Sequence, residues 1–158
     1  MGVRSFMMSY LATRSVTLAD RFHQQHVGPW LVWEPGEWRP AGSAITTMVS
    51  NKESAPKAGD ALCFQLGGAP TLQPVRVGRD ANCELVINDA TVSRHHVTLH
   101  ATPVGWEIEA MKDVGVVLDG QTLARGQRRI LRWGAALSLG AVRLSLYDDF
   151  GFAARLRS

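Results

Sequence analysis

A regular series of short apolar segments over residues 60–148 constrains the fold of this chain more than any other feature. Alternation of apolar and polar residues is clearest at 106–110 and 142–146, where every second side chain falls on one face of an extended strand. The predicted strands are 61–66, 75–78, 84–87, 96–101, 106–110, 116–118, 128–131, 136–139 and 142–147. Turn residues such as Asp119-Gly120 and Trp133-Gly134 separate them. This length and spacing predict an all-β sandwich.

Residues 1–42 differ in kind and are predicted to form an N-terminal extension. Thr17 is a suitable N-cap for a short helix, with Asp20 in its first turn. Gly28-Pro29 would end that helix. The extension is therefore expected to contain a short helix followed by a tryptophan-rich segment.

Three of the five tryptophans, Trp30, Trp33 and Trp38, lie in that segment. So many apolar rings are not expected to stay in water. They either pack on the sandwich as a private extension, form a docking patch for a protein partner, or make a contact with a second copy of the chain. Aromatic side chains are the usual anchors of protein interfaces, so the sequence leaves all three interpretations open.

The remaining segments complete the predicted domain organisation. Residues 43–59 are rich in Ser, Thr, Ala, Lys and Pro, which indicates a flexible linker. Residues 60–148 form the sandwich and 149–158 a C-terminal tail. A chain of 158 residues has room for one domain with a real core and such appendages.

Two neighbouring loops carry polar side chains suited to an anion. Gly78-Arg79 ends one predicted strand, and Ser93-Arg94 precedes another. A phosphorylated side chain carries nearly two negative charges, and the planar fork of an arginine matches its oxygens. The residue types alone are also compatible with an ordinary strand-ending turn and a polar loop.

The order of the surrounding residues resembles the forkhead-associated (FHA) domain, a β-sandwich that binds phosphothreonine peptides. The resemblance is carried by Gly78-Arg79, the short strand at 83–87, and the stretch Asp89-Ala90-Thr91-Val92-Ser93-Arg94-His95-His96. It implies that Arg79 and Ser93 contact the phosphate and that Arg94 assists. It also implies that Gly78 and His96 support the binding loop. The expected fold is an all-β FHA-type sandwich with a short helical, tryptophan-bearing N-terminal extension.

The peptide-facing loop departs from the family pattern. The family has Asn-Gly-Thr where this chain has Val114-Gly115-Val116, although Gly115 and Asp119 fit the frame. A shift by one residue would place Asp113 at the Asn position, where its carboxylate would repel phosphate. Losing one peptide hydrogen bond costs about 1–3 kcal/mol when a partner is left unsatisfied. The resemblance therefore implies phosphothreonine binding that is weak or unusual in its peptide preference.

These features predict a non-catalytic signalling or adaptor module that binds a threonine-phosphorylated protein, the substrate of a Ser/Thr kinase. The main alternative is a phosphate-independent interaction module on the same scaffold. A third is a nucleic-acid adaptor, because the net charge is +3 and arginines are frequent between Arg125 and Arg157. No interleaved aromatics, helix-turn-helix or zinc-finger pattern accompanies them, which argues against nucleic acid.

Enzyme, metal and cofactor functions are not predicted. Ser93 and His96 lack a third partner and an oxyanion motif. His96 and His100 are separated by about 13 Å of strand, too far to share one ion with His95. No glycine-rich nucleotide loop occurs.

The location of the chain follows from its cysteines and its apolar segments. Cys63 and Cys83 are expected to be small core residues and not a disulfide pair. The apolar segments are too short to cross a bilayer, so no membrane contact is expected. The sequence thus predicts a cytoplasmic protein.

Overall fold

The structure, a computed structural model, describes residues 3–36, 59–67, 74–103 and 105–157. Two sheets pack face to face around the main apolar core. The strands are β1 Arg4–Met7, β2 Trp30–Trp33, β3 Leu62–Gln65, β4 Val75–Gly78, β5 Leu85–Val86, β6 Val97–Thr102, β7 Gly105–Ala110, β8 Val116–Leu118, β9 Gln121–Thr122, β10 Arg128–Leu131, β11 Ala136–Leu139 and β12 Val142–Tyr147. The helices are α1 Met8–Leu18, a 3₁₀ turn Ala19–Arg21, α2 Phe22–Gln25 and α3 Asp149–Arg157.

The seven-stranded sheet has the order β1-β3-β2-β12-β11-β8-β9, and the five-stranded sheet has the order β10-β7-β6-β4-β5. Neighbours run antiparallel except β4 and β5, which are parallel. Trp106, Ile108 and Ala110 alternate into the core from β7, as the sequence predicts. The expectation of an all-β sandwich is confirmed.

The N-terminal extension contributes strands as well as helices. β2 lies between β3 and β12 in the middle of the seven-stranded sheet, and β1 pairs with β3 at its edge. The sheet therefore includes residues outside the 60–148 region that resembles the FHA family.

The predicted helix start at Thr17 is wrong. The chain passes directly from β1 into α1 at Met8, and Thr17 lies near the end of that helix, where its hydroxyl donates to the carbonyl of Thr13. A hydroxyl bonded to a carbonyl one turn earlier is typical of a helix interior and not of a cap. The helical region does end at Gln25, before Gly28-Pro29.

Trp30 and Trp33 are buried within the chain, on opposite faces of β2. Trp33 is 1% exposed and belongs to the core between the sheets. Trp30 is 0% exposed and belongs to a second core with Leu11 and Phe152, under the helices. The interpretation that these two side chains dock a partner or a second copy of the chain is therefore wrong. Trp38 and nearly all of the predicted linker 43–59 lie outside the described residues.

Residues 149–157, which the sequence analysis treats as a tail, form α3. Phe152 stacks on Trp30 with ring centroids 4.5 Å apart. Arg155 donates to both carboxylate oxygens of Glu34, at 2.6 and 2.9 Å, and to the hydroxyl of Tyr147 at 2.7 Å. The helix is thus fixed to the outer face of the seven-stranded sheet. None of the helices described is long and apolar enough to span a membrane.

Candidate functional site

The β4–β5 and β5–β6 loops meet at one end of the sandwich. The backbone N–H of Arg79 donates to the carbonyl of Ser93 at 2.9 Å, and the N–H of Asp80 donates to the carbonyl of Arg94 at 3.2 Å. These bonds bring Arg79, Ser93 and Arg94 together, although 14 positions separate Arg79 from Ser93 in the sequence.

Gly78 permits this close approach. A Cβ at this position would lie 2.1 Å from the carbonyl oxygen of Arg94 and 2.6 Å from its carbonyl carbon. Both atoms belong to the backbone, which cannot move aside as a side chain does. The absence of a side chain at residue 78 therefore lets the two loops touch.

The guanidinium of Arg79 is exposed and held against the Ser93 loop. Its Nε donates to the carbonyl of Val92 at 2.9 Å. Within the described ranges, no hydrogen bond or ion pair uses its two terminal nitrogens. Arg94 is exposed, its guanidinium likewise has no partner there, and Ser93 is half-buried. Two cations and a hydroxyl thus lie on adjoining loops, open to an anion.

His96 connects these loops to the peptide-facing loop. Its ring is 2% exposed. Nδ1 accepts from the backbone N–H of Ser93 at 3.0 Å, and Nε2 lies 3.0 Å from the carbonyl oxygen of Gly115. Because Nδ1 accepts, the proton of the neutral ring is on Nε2, which donates to Gly115. His96 therefore bridges the backbones of Ser93 and Gly115.

The environment of His96 predicts that the stability of the fold depends on pH. Burial lowers the pKa of His96 below its usual 6.5, the positive charge of Lys112 lowers it further, and the hydrogen bond to Gly115 opposes both. The unfolded chain then binds the proton more readily than the folded chain. The contribution of the neutral His96 to the free energy of unfolding is therefore fully present above about pH 6.5. It is lost as the pH falls toward the pKa of His96 in the folded chain.

We expect the free energy of unfolding to decrease from about pH 7.5 to about pH 5.5, by less in His96→Asn than in the native chain. Urea unfolding at both pH values measures it. His26→Asn should also reduce this decrease, because burial and then Arg14 and Arg4 lower the pKa of His26 as well. An equal pH dependence in His96→Asn and the native chain would contradict the assignment.

The peptide-facing loop lies between β7 and β8. Asp113 is exposed, Val114 is 71% exposed, and Gly115 has φ +86°. Val116 is 0% exposed and packs in the core. Val114 is thus the residue of this loop that presents an apolar side chain next to the Gly115 anchor of His96.

The structure does not bring Asp119 to this loop. Asp119 lies at the other end of β8, in the β8–β9 turn, about 13 Å of strand from Gly115. Its Oδ1 accepts from the N–H of Ala136 at 2.9 Å. Its φ of +49°, followed by +83° at Gly120, is typical of a two-residue hairpin turn.

Sequence reasoning missed three residues that shape the site. The charge of Lys112 acts on His96 from the peptide-facing loop. Oδ1 of Asp89 accepts from the N–H and the hydroxyl of Thr91, and the Thr91 hydroxyl oxygen accepts from the N–H of Ala141 at 2.8 Å. Asp-x-Thr is a recognisable turn signal, so the local part of this network was open to prediction, whereas its link to Ala141 was not.

The histidines near the site are engaged singly. His95 Nε2 lies 2.7 Å from the hydroxyl of Thr98, and His100 Nε2 lies 2.8 Å from Oε1 of Glu109. Among the residues described, no three His, Cys, Asp or Glu side chains group so that they could hold a metal ion. Cys63 and Cys83 are both buried free thiols.

A protein-family comparison matches residues 71–149, half of the chain, to the family described as the inner membrane component of T3SS, cytoplasmic domain. The chain belongs to this family. Its fold is that of the FHA domain, and the resemblance seen in the sequence is confirmed. A comparison with curated proteins finds no match.

Solved FHA domains are similar to this FHA domain protein in fold. One is the FHA domain of an Arabidopsis thaliana hypothetical protein, with 19% identity, 77% of this chain and 86% of that chain covered, and a TM-score of 0.51. Another is the MEK1 FHA domain, with 15% identity, coverage of 85% and 99%, and a TM-score of 0.50. At these identities the likeness concerns the fold alone.

Proposed function

We propose that this FHA domain is a non-catalytic adaptor that binds a threonine-phosphorylated segment of another protein at the loops carrying Arg79 and Ser93. The carrying observation is the anchoring of Arg79 through Nε to the carbonyl of Val92, with both terminal nitrogens left without a partner among the described residues. A guanidinium fixed in this way loses little side-chain entropy when it pairs with phosphate. Membership of the FHA fold family supports phosphothreonine as the ligand.

Arg79 and Ser93 would take the phosphate oxygens, and Arg94 would add a charge-assisted contact at the rim. His96 would hold the Ser93 backbone through Nδ1, and Gly78 would keep the loops in contact. Lys112 adds positive charge from the peptide-facing loop between β7 and β8. All these contributions favour a doubly charged phosphate over a carboxylate.

Val114 supports an unusual peptide preference. The side chain of Val114 can neither donate to nor accept from a peptide backbone, so the energy of binding would depend more on the phosphate and on an apolar neighbour. The exposed side chain of Val114 also favours the second candidate function, a phosphate-independent interaction module.

The proposed ligand is the product of a Ser/Thr kinase, and the proposed location is the cytoplasm, which the family's description as a cytoplasmic domain supports.

Calorimetry with a degenerate phosphothreonine peptide library and its unphosphorylated counterpart tests this function. We expect binding to the phosphorylated library alone, and Arg79→Ala should weaken it by about 2 kcal/mol or more, which is about thirty-fold. Arg21→Ala is the matched control, because Arg21 is an exposed arginine of the 3₁₀ turn and changes the net charge equally. Equal binding of both libraries would support the phosphate-independent module instead.

A further inference from the structure

β10 forms an exposed edge of the five-stranded sheet. It pairs with β7 on one side only. Leu131 is buried in the core, whereas Arg128, Arg129 and Ile130 are exposed. Ile130 is 60% exposed and Trp133, just beyond the strand, is 51% exposed. We call residues 125–133 the β10 edge.

The backbone of the β10 edge has free hydrogen-bonding groups. The carbonyl of Gln127 accepts from the N–H of Ala110 on β7 at 3.1 Å. Because successive residues of an antiparallel strand point their backbone groups to opposite sides, those of Arg129 also face β7, and those of Arg128 and Ile130 face away. In the part of the chain that the structure describes, no hydrogen bond outside the sheet ladders uses them. An added strand would find these donors and acceptors in place.

The side chains of the β10 edge carry one sign of charge. Residues 121–134 contain four arginines and no Asp or Glu. Arg128 lies opposite Glu109 on β7 and its Nη2 is 3.1 Å from Oε1 of Glu107, while Arg125 and Arg132 are exposed without an ion pair among the described residues. The edge therefore keeps an excess of positive charge that favours an acidic partner.

We propose that the β10 edge binds an acidic, extended segment of a partner protein as an additional strand. On the outer face of the sheet, acidic side chains of that segment would lie opposite Arg128 and Arg132. An apolar side chain between them would contact Ile130. The expected recognition pattern is thus acidic-x-apolar-x-acidic. This site lies apart from the phosphate loops and does not depend on the proposed function.

A polypeptide fits this surface better than a nucleic acid. Another strand satisfies the outward backbone N–H and C=O groups, and an apolar side chain of that strand would bury the exposed surface of Ile130. Single-stranded nucleic acid needs several stacking rings, and the edge carries one exposed aromatic, Trp133. Arginines on an edge strand can also serve only to prevent self-association, and an edge with that role alone would bind no peptide.

The test is a nuclear magnetic resonance titration of the full chain carrying Arg79→Ala, with the unphosphorylated peptide Thr-Glu-Thr-Val-Thr-Glu-Thr. We expect amide shifts confined to residues 125–133 and to neighbouring residues of β7. Raising the salt from about 50 mM to about 500 mM should weaken binding. A peptide of the same composition with its two Glu adjacent should bind about two- to five-fold more weakly, since one carboxylate then loses its arginine.

Three variants separate charge, backbone and fold. Arg128→Glu with Arg132→Glu should weaken binding at least about ten-fold, and the matched double reversal Arg21→Glu with Arg157→Glu on the helical side should not. Arg128→Pro removes an outward N–H without touching the β7 ladder, so it should fold and bind more weakly than Arg128→Ala, which loses the same charge but keeps the N–H. Peptides methylated on alternate backbone nitrogens lack the donors to the outward carbonyls of the edge, and so test the opposite hydrogen bonds without altering the protein.

The proposal is overturned if the peptide causes no shifts at the β10 edge or if the rearranged peptide binds equally well. It is also overturned if duplex DNA or single-stranded RNA shifts these amides while the peptide does not. Loss of phosphopeptide binding in Arg79→Ala leaves these results unchanged, so the two proposals fail independently.

Discussion

Gly78→Ala is expected to remove phosphopeptide binding and to lower the free energy of unfolding by about 2–4 kcal/mol. The new methyl group would lie 2.1 Å from the carbonyl oxygen of Arg94, well inside contact distance. The loops would have to separate, which breaks the backbone bonds from Arg79 to Ser93 and from Asp80 to Arg94. Arg79 and Ser93 would then no longer face one ligand.

Urea unfolding and peptide calorimetry on the folded variant measure both effects. Gly36→Ala is the matched control, because its added methyl would meet the flexible end of Arg143 at 3.1 Å, which can move aside. We expect the control to stay within about 0.5 kcal/mol of the native chain and to bind normally. A Gly78→Ala protein with native stability and affinity would show that the two loops need not touch.

Most of the sandwich could be predicted because its signals are local. β4, β8, β10, β11 and β12 have the predicted bounds, since alternation and turn residues define each of them without reference to distant parts of the chain. The Asp119-Gly120 turn is of this kind, because a positive φ at both central residues is encoded in the dipeptide itself.

β2 could not be predicted from such signals. All its residues are buried, Trp33 toward the core and Trp30 toward the helices, so the segment has no alternation of apolar and polar residues. Its partners are distant in the sequence, with Leu31 opposite Leu146 and Trp33 opposite Leu62. Only the fold shows that Trp30 and Trp33 belong to two internal cores and not to a docking patch.

The candidate site was predictable in its residue types but not in its connections. Arg79 and Ser93 stand in a recognisable order, and the backbone bond between their loops brings them together. The position of Lys112 beside His96, and the bond from His96 to the carbonyl of Gly115, depend on how β7 and β8 pack against β6. Sequence order carries no such information about neighbours across a sandwich.

Trp33→Ala is expected to lower the free energy of unfolding by about 3–5 kcal/mol, a large part of the about 5–15 kcal/mol of a typical domain. The indole is 1% exposed and lies in the core between the two sheets. Removing it leaves a cavity that the neighbouring strands β3 and β12 cannot close without losing their pairing with β2. Thermal and urea unfolding both measure this loss.

Trp133→Ala is the matched control, because its ring is 51% exposed and its loss should change stability by about 0.5 kcal/mol or less. Where Trp33→Ala is still folded, it should keep its affinity for phosphopeptide, since Arg79 and Ser93 follow strands of the other sheet. A native melting temperature in Trp33→Ala would place β2 outside the sheet. Loss of peptide affinity in the folded variant would instead show that the N-terminal strand transmits its packing to the loops.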